Sequence, residues 1–335
     1  MKRRRMELSV ALFLFLVLMT PQQLMAAPYY EGKVLTIIVG YGPGGGYDRM
    51  ARVLAKHLSK YIPGNPSVIV QNMPGASSMI AANHLYNTAK PDGLTIGTFN
   101  RGLIFAQMTK ADGVRFDFTK YAWVGSSGVS TSVLAVRGDL PYKTFDELRK
   151  ADLTLKFGGS GRADIATQFL YLLMEFTGLK AKAIVYPSSS DIFIAVERKE
   201  LDGQVSSYDS IGPQIARGLL RPVIRSRIPE PGIENLPVGE DIATDKKGKL
   251  FMALHSSIDK VGRPYVAHPA TPPEIVNTLR EAFRKVADDP ELKVDAEKTM
   301  MPVRYSPGDE CLKIMNDLLS QPPEILKEFG QYVAF

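Results

Sequence analysis

The chain has 335 residues, 45% hydrophobic and 23% charged, with a single cysteine and a formal net charge of +6. That length allows two domains with cores of their own, and one thiol excludes an intrachain disulfide framework. Lys2, Arg3, Arg4 and Arg5 against Glu7 supply +3 of the charge, so the remainder carries +3 with no long basic run, and nucleic acid is excluded as an expected partner.

Those basic residues lead into an apolar stretch, Leu8 to Met19, and then to Ala26 and Ala27. This order reads as a secretory signal peptide over residues 1–27, cleaved near Ala26 or Ala27. The stretch is short for a transmembrane span; an N-terminal anchor is the alternative, and a twin-arginine route through Arg4-Arg5 stays open. The expected location is the periplasm. Cys311, in Cys-Leu-Lys-Ile-Met, reads as a buried thiol on a helix face and is not placed where a lipoprotein cysteine would be.

Beyond the leader, strand-like and helix-like segments alternate. An apolar strand over Val34–Val39 is followed by an amphipathic helix over 49–61, which buries Met50, Val53, Leu54 and Leu58 at helical spacing. Strand 68–70 precedes a helix near 77–88, and then comes strand 94–98. Strand 133–136 precedes helix 145–149, strand 155–157 precedes helix 163–176, and strand 183–185 precedes helix 191–198. The alternation predicts parallel sheets covered by helices. The stretch 229–249, rich in Pro, Gly and charge, reads as surface loop. The last third is mostly helical: Thr271-Pro272-Pro273-Glu274 has a capping-box pattern with Pro at the first helical position. That helix runs to about Ala287 and is broken by Asp288-Asp289-Pro290; a last helical stretch from near Asp309 is interrupted at Pro322-Pro323.

The chemistry-bearing features are turns between strands and helices. The first, Gly40-Tyr41-Gly42-Pro43-Gly44-Gly45-Gly46-Tyr47-Asp48, joins a buried strand to a helix N-terminus, where backbone N–H groups and the helix dipole favour an anion. Its glycines let a ligand approach the backbone, Pro43 stiffens it, and Asp48 reads as the helix N-cap. A purely structural loop is the alternative. A second turn, Gly158-Gly159-Ser160-Gly161, and a third, Tyr186-Pro187-Ser188-Ser189-Ser190, have the same setting, with Ser190 a candidate cap. Turns from two βα blocks suggest a cleft with donors on both walls.

Gly40-x-Gly42-x-x-Gly45 matches the dinucleotide fingerprint, but the second strand ends in Gln71-Asn72 where a ribose-binding acid is needed. No cofactor is therefore expected. His57, His84, His255 and His268 have no metal-ligand spacing, and no Gly-x-Ser-x-Gly, His-Glu-x-x-His or Walker lysine is present. Neither a metal nor an enzymatic activity is expected. Trp123 reads as core. Arg101, in Thr98-Phe99-Asn100-Arg101, is either a carboxylate clamp or a solvated loop residue.

At these residues the chain resembles the periplasmic solute-binding receptors of tripartite tricarboxylate transporters, the Bug family. The resemblance covers nearly all of the chain after the leader. It is carried by Pro43-Gly44-Gly45 with Asp48, Asn72-x-Pro74-Gly75-Ala76, Pro91-Asp92-Gly93, Phe157-Gly158-Gly159-Ser160-Gly161, Tyr186 with Leu201-Asp202, Thr271-Pro272-Pro273 and Asp289-Pro290. It implies an α/β type II periplasmic binding protein: two α/β lobes with a ligand cleft between them, lobe one from 28–130 plus 255–335 and lobe two from 131–254. It implies a receptor that presents a small organic acid to integral-membrane transporter subunits, one large and one small; a sensing receptor is the alternative, and a monomer is expected. Site residues carried over are Tyr41, Pro43, Gly44, Gly45, Gly46, Tyr47, Asp48, Asn100, Ser160, Gly161, Asp164, Tyr186, Ser188, Ser206 and Ser207. Three departures bear on the ligand: Pro187-Ser188 stand where the family has Lys-Gly, Asp164 where it has Thr or Ser, and Ser206-Ser207-Tyr208-Asp209 over its acidic-amide segment. With Tyr41 and Tyr47 placed to flank a ring, these suggest one carboxylate with a polar or aromatic remainder rather than a citrate-like trianion.

Overall fold

The computed structural model describes residues 27–333, so the expected signal peptide lies almost wholly outside the described residues. Among the described residues no helix is long and apolar enough to cross a membrane.

Among the described residues eleven strands form two sheets: β1 (Val34–Val39), β2 (Ser67–Asn72), β3 (Thr95–Thr98), β4 (Ala122–Ser126), β5 (Ser132–Arg137), β6 (Leu155–Gly159), β7 (Ala181–Val185), β8 (Gly203–Ser207), β9 (Leu220–Arg225), β10 (Pro264–Ala267) and β11 (Ser306–Pro307). The first sheet has the order β11-β4-β10-β3-β1-β2 and the second β7-β6-β8-β5-β9; the units built on them are called the first and second lobe below. The βα turns singled out above follow β1, β6 and β7, where the strands are parallel: β1 with β2 and β3, β6 with β7 and β8.

The sheets are mixed rather than parallel. β10 runs antiparallel to β3 and β4, and β5 antiparallel to β8 and β9. The physical reason is the chain's passage between lobes. β4 leaves the first sheet at Ser126, and β10 re-enters it beside the same residue, Pro264 pairing with Ser126. A chain that leaves a sheet and returns at the same end must run the opposite way. The two crossings lie side by side: Ser127 N–H donates to the Arg263 carbonyl at 3.2 Å and Ser130 N–H to the Asp259 carbonyl at 3.0 Å.

Each lobe has its own apolar face. Helix Gly46–Leu58 buries Met50, Val53, Leu54 and Leu58 against β1, β2 and helix Pro273–Asp288, each side chain contributing about 1.5–3 kcal/mol. Helix Ile165–Thr177 packs Phe169, Leu170, Leu172 and Leu173 into a cluster that continues into the first lobe. At that junction His255 stacks between Phe105 and Phe169, 6.1 and 5.8 Å from their centroids, and Phe329 of the C-terminal helix Pro323–Val333 meets Phe105 edge-on. Cys311 is buried, as expected, and so is Trp123.

Some local expectations are corrected. Thr271 does not cap its helix: Pro272 occupies the N-cap, one residue later, and no side-chain cap bond forms. The true capping box is Thr144 with Glu147, ahead of helix Phe145–Lys150. The stretch 229–249 is not all surface: Glu230, Ile233, Val238 and Glu240 are buried, and helices Gly239–Ile242 and Lys246–Ser257 pass through or begin in it. Arg101 is neither solvated nor free to clamp a ligand; it is fully buried against Asp259.

His255 gives the fold an acid weakness. Its Nε2 lies 2.8 Å from the Ile165 carbonyl, so the neutral ring donates there, and burial pushes its pKa down to about 4. An unfolded chain takes up that proton near pH 6.5, before the folded one does. Stability therefore falls as pH drops from 6.5 towards 4, by on the order of 3 kcal/mol in all. His255→Phe should flatten this part of the urea-denaturation profile, even if lost hydrogen bonding lowers stability at pH 7; an unchanged slope would refute the assignment.

Candidate functional site

The two lobes meet face to face at the three turns. The glycine turn after β1 lies against the serine turn after β7: Cβ atoms placed on Gly42, Gly44 and Gly45 would sit 3.2, 2.9 and 3.2 Å from the side chains of Ser188, Ser190 and Ser189. Side chains on this turn would hold the lobes apart, so its glycines serve lobe approach as well as ligand approach. Gly44 also has a φ of +85°, in the left-handed region that glycine tolerates.

The lobes are joined here by hydrogen bonds. Tyr41 Oη donates to Asp164 Oδ2 at 2.6 Å, Asn100 Nδ2 to the Ala163 carbonyl at 2.6 Å, and Ser190 Oγ to the Pro43 carbonyl at 3.2 Å. Deeper in, Arg263 binds Asp209 through two bonds of 2.6 and 2.7 Å, and Arg49 donates to the Ser210 carbonyl at 2.8 Å.

Among these contacts lie a small chamber of about 40 Å³ and a wider outer cleft of about 680 Å³. Tyr41 and Ser160 line both. Gly45, Gly46, Tyr47, Asp164, Ser206 and Ser207 line the chamber, and Gly161 and Tyr186 line the outer cleft. The other carried-over residues line neither. Pro43 offers its carbonyl to Ser190, and Ser188 caps helix Ser189–Glu197, its Oγ accepting from Asp191 N–H at 3.2 Å. That position belongs to Ser188, not Ser190, whose hydroxyl reaches across to the other lobe.

Asp48 is not the N-cap. Gly45 is, and Asp48 stands in the first helical turn with its carboxylate folded back onto the loop. It accepts from Gly44 N–H at 2.9 Å, from Asn72 Nδ2 at 2.9 Å and from Arg52 Nε at 3.0 Å. Burial works against its charge, but these donors hold its pKa below the usual carboxylate value. The Gly44 amide is thus committed to Asp48. Among the described residues no hydrogen bond is donated by the amides of Gly45, Gly46 or Tyr47, as expected of a helix start without a side-chain cap. The open donors of the turn are therefore one to three residues further on than Gly44.

Asn100 acts as a clamp on backbone. Besides its bond to Ala163, its Oδ1 accepts from Gly102 N–H at 3.0 Å and Ile165 N–H at 3.4 Å. Tyr41 and Tyr47 do not flank an open slot: their rings lie on each other, centroids 4.8 Å apart and tilted by 31°, which leaves no space for a third ring between them. Burial, with Asp164 alongside, raises the Tyr41 pKa well above its ordinary value, so it remains a donor.

The sequence reading missed Gln204 and Ser210 on the chamber wall and Pro74, Ala76 and Ser77 in the outer cleft. Asn72-x-Pro74-Gly75-Ala76 signalled the latter group. Gln204 had no local signal, because β8 was not recognised as a strand.

The family model described as the tripartite tricarboxylate transporter family receptor matches residues 50–331. The chain belongs to this family. The receptor is 26% identical over 320 residues to the "UPF0065 protein in gbd 5'region" of Cupriavidus necator, covering 91% of this chain and 90% of that protein. A UPF0065 protein of Agrobacterium vitis, from the TAR-I ttuE-ttuC' intergenic region, is 27% identical over 180 residues, 51% of each chain. The fold of the receptor matches that of the periplasmic binding protein BugD with a TM-score of 0.75 at 19% identity, over 90% of this chain and 99% of that one. It matches MatC of Rhodopseudomonas palustris, solved with bound malate, with a TM-score of 0.71 at 17% identity, over 90% and 99%. The two lobes with a cleft between them are the periplasmic binding protein fold.

Proposed function

We propose that this receptor captures a small organic carboxylate in the periplasm and delivers it to the membrane subunits of a tripartite tricarboxylate-type transporter, as a binding protein and not an enzyme. The observation that carries this reading is the helix start at Gly45–Tyr47: three amides without protein acceptors among the described residues, on residues that line the chamber between two lobes. Such a site receives an anion through N–H groups and the helix dipole. The lobe boundaries near residues 130 and 254 belong to the same reading. Support for the ligand class comes from structural relatives: MatC holds malate, and another R. palustris protein, with a TM-score of 0.71, holds adipate.

In the closed arrangement the chamber holds about one water-sized group. A whole organic acid enters only when the lobes part, and the closed state then re-forms around it. A ligand that binds both walls favours that state by its differential affinity.

The test is a thermal-shift screen of the exported protein, unfolded and refolded to strip carried-over ligand. The panel holds monocarboxylates, dicarboxylates, citrate, aromatic acids and amino acids. A ligand at about a hundred times its Kd stabilises by about 2.7 kcal/mol, so a concentration-dependent rise in Tm is expected with mono- or dicarboxylates. No rise across the panel would overturn the reading, and a larger rise with citrate than with monocarboxylates would overturn the preference against a trianion.

A further inference from the structure

The chamber's two walls differ in chemistry. The first-lobe wall offers the free amides of Gly45, Gly46 and Tyr47. The second-lobe wall carries Asp164 and Gln204. Asp164 sits at the start of helix Ile165–Thr177, its Oδ1 accepting from Ala166 N–H at 3.0 Å and Thr167 N–H at 3.3 Å. That helix start, which could otherwise receive an anion, is already satisfied by a carboxylate of the protein itself.

Gln204 adds a second, independent observation. It is 1% exposed, and its Oε1 has no hydrogen-bond partner. A buried acceptor left without a donor is unfavourable until something supplies one. No lysine or arginine lines the chamber, and the nearby Arg263 guanidinium is committed to Asp209. A ligand carboxylate against this wall would face a fixed negative charge with no counter-cation. A ligand N–H or O–H there would give Gln204 its missing partner and Asp164 a further donor.

We propose that the ligand is a carboxylate bearing a hydroxyl or ammonium group on the adjacent carbon, its carboxylate on the Gly45–Tyr47 amides and its donor on Asp164 and Gln204. Because the two walls already touch, with Tyr41 Oη 2.6 Å from Asp164 Oδ2, lobes that re-close around a ligand bridging them need its two groups on neighbouring atoms. This inference rests on the carboxylate-receptor reading above.

Matched acids test it. Calorimetric titration compares propionate, lactate and alanine, then succinate, malate and aspartate, then 3-phenylpropionate, phenyllactate and phenylalanine. In the series whose size fits, the hydroxy or amino acid should bind about tenfold tighter or more than its unsubstituted parent, a difference of about 1.4 kcal/mol. Gln204→Leu should bring the affinity of the hydroxy or amino acid down to that of its parent, read as the ratio of the two Kd values in the same variant. Asp164→Thr keeps a capping oxygen and should reduce the ammonium arm more than the hydroxyl arm, which tells the two donors apart. Parent acids that bind as tightly as their substituted partners would overturn the inference and leave the carboxylate receptor standing. Binding by none of the nine, with no response in the wider panel, would overturn both.

Discussion

Gly46→Ala is expected to hold the lobes apart and weaken ligand binding by about tenfold or more. A Cβ at Gly46 would lie 2.0 Å from Ser210 Oγ and 2.8 Å from Arg263 Nη2. Neither neighbour can swing away: Ser210 and Arg263 are buried, and Arg263 is pinned by its two bonds to Asp209. Ser210 belongs to the second lobe, so its clash, the tighter of the two, exists only when the lobes are together. Within the first lobe, alanine suits a helical position better than glycine, by up to about 1 kcal/mol. A receptor whose closed state is rarely populated binds more weakly by that fraction. Titration calorimetry, with small-angle scattering to read the separation of the lobes, checks this; unchanged affinity would show that closure at Gly46 is not needed. Gly44→Val is a poorer test, because its φ of +85° strains any side chain and its amide already serves Asp48.

The largest stability effect is expected at Arg101. Both Arg101 and Asp259 are fully buried, joined at 2.5 Å. Burial opposes the guanidinium charge, but Asp259 outweighs it and keeps Arg101 firmly protonated. Arg101 also donates to the Ser130 carbonyl at 2.6 Å, and Asp259 accepts from Ser132 N–H and Ser226 Oγ. The pair therefore ties the first-lobe loop after β3 to both interlobe crossings. Arg101→Met leaves a buried carboxylate without its counter-charge and should cost about 3–5 kcal/mol. The double variant Arg101→Met, Asp259→Leu should lose less than the sum of the two single changes, since neither charge is then orphaned. Urea denaturation of the four proteins in this cycle measures the difference, and a single-variant loss under about 1 kcal/mol would refute the role.

The elements that were legible in the sequence are those whose signal is local. β1 was read with its observed bounds because an apolar run sits between polar residues. Helix Gly46–Leu58 was legible, shifted by three residues, because its apolar spacing is unbroken. β4, β8, β9 and β10 were not: Ala122–Ser126 and Gly203–Ser207 are short and partly polar, and they are strands because neighbours far along the chain pair with them. Caps were misplaced by one to three residues at Thr271, Ser190 and Asp48, since several residues near a helix start can cap and tertiary contacts select one.

The α/β alternation and the turns that form the cleft are written in neighbouring residues, as βα turns, glycines and apolar periodicity, whereas the family and its two lobes are implied by the resemblance that the ordered short motifs carry. Which donors are free and which are committed is settled by the tertiary fold. Gly44 gives its amide to a carboxylate four residues on, Arg101 is neutralised by a residue 158 positions away, and Tyr41 meets Asp164 across the cleft. It also placed Gln204, invisible in its own neighbourhood, on the chamber wall. Commitment of a polar group depends on what folding brings within hydrogen-bond reach, and for these groups the deciding partner comes from another turn, another sheet or the other lobe.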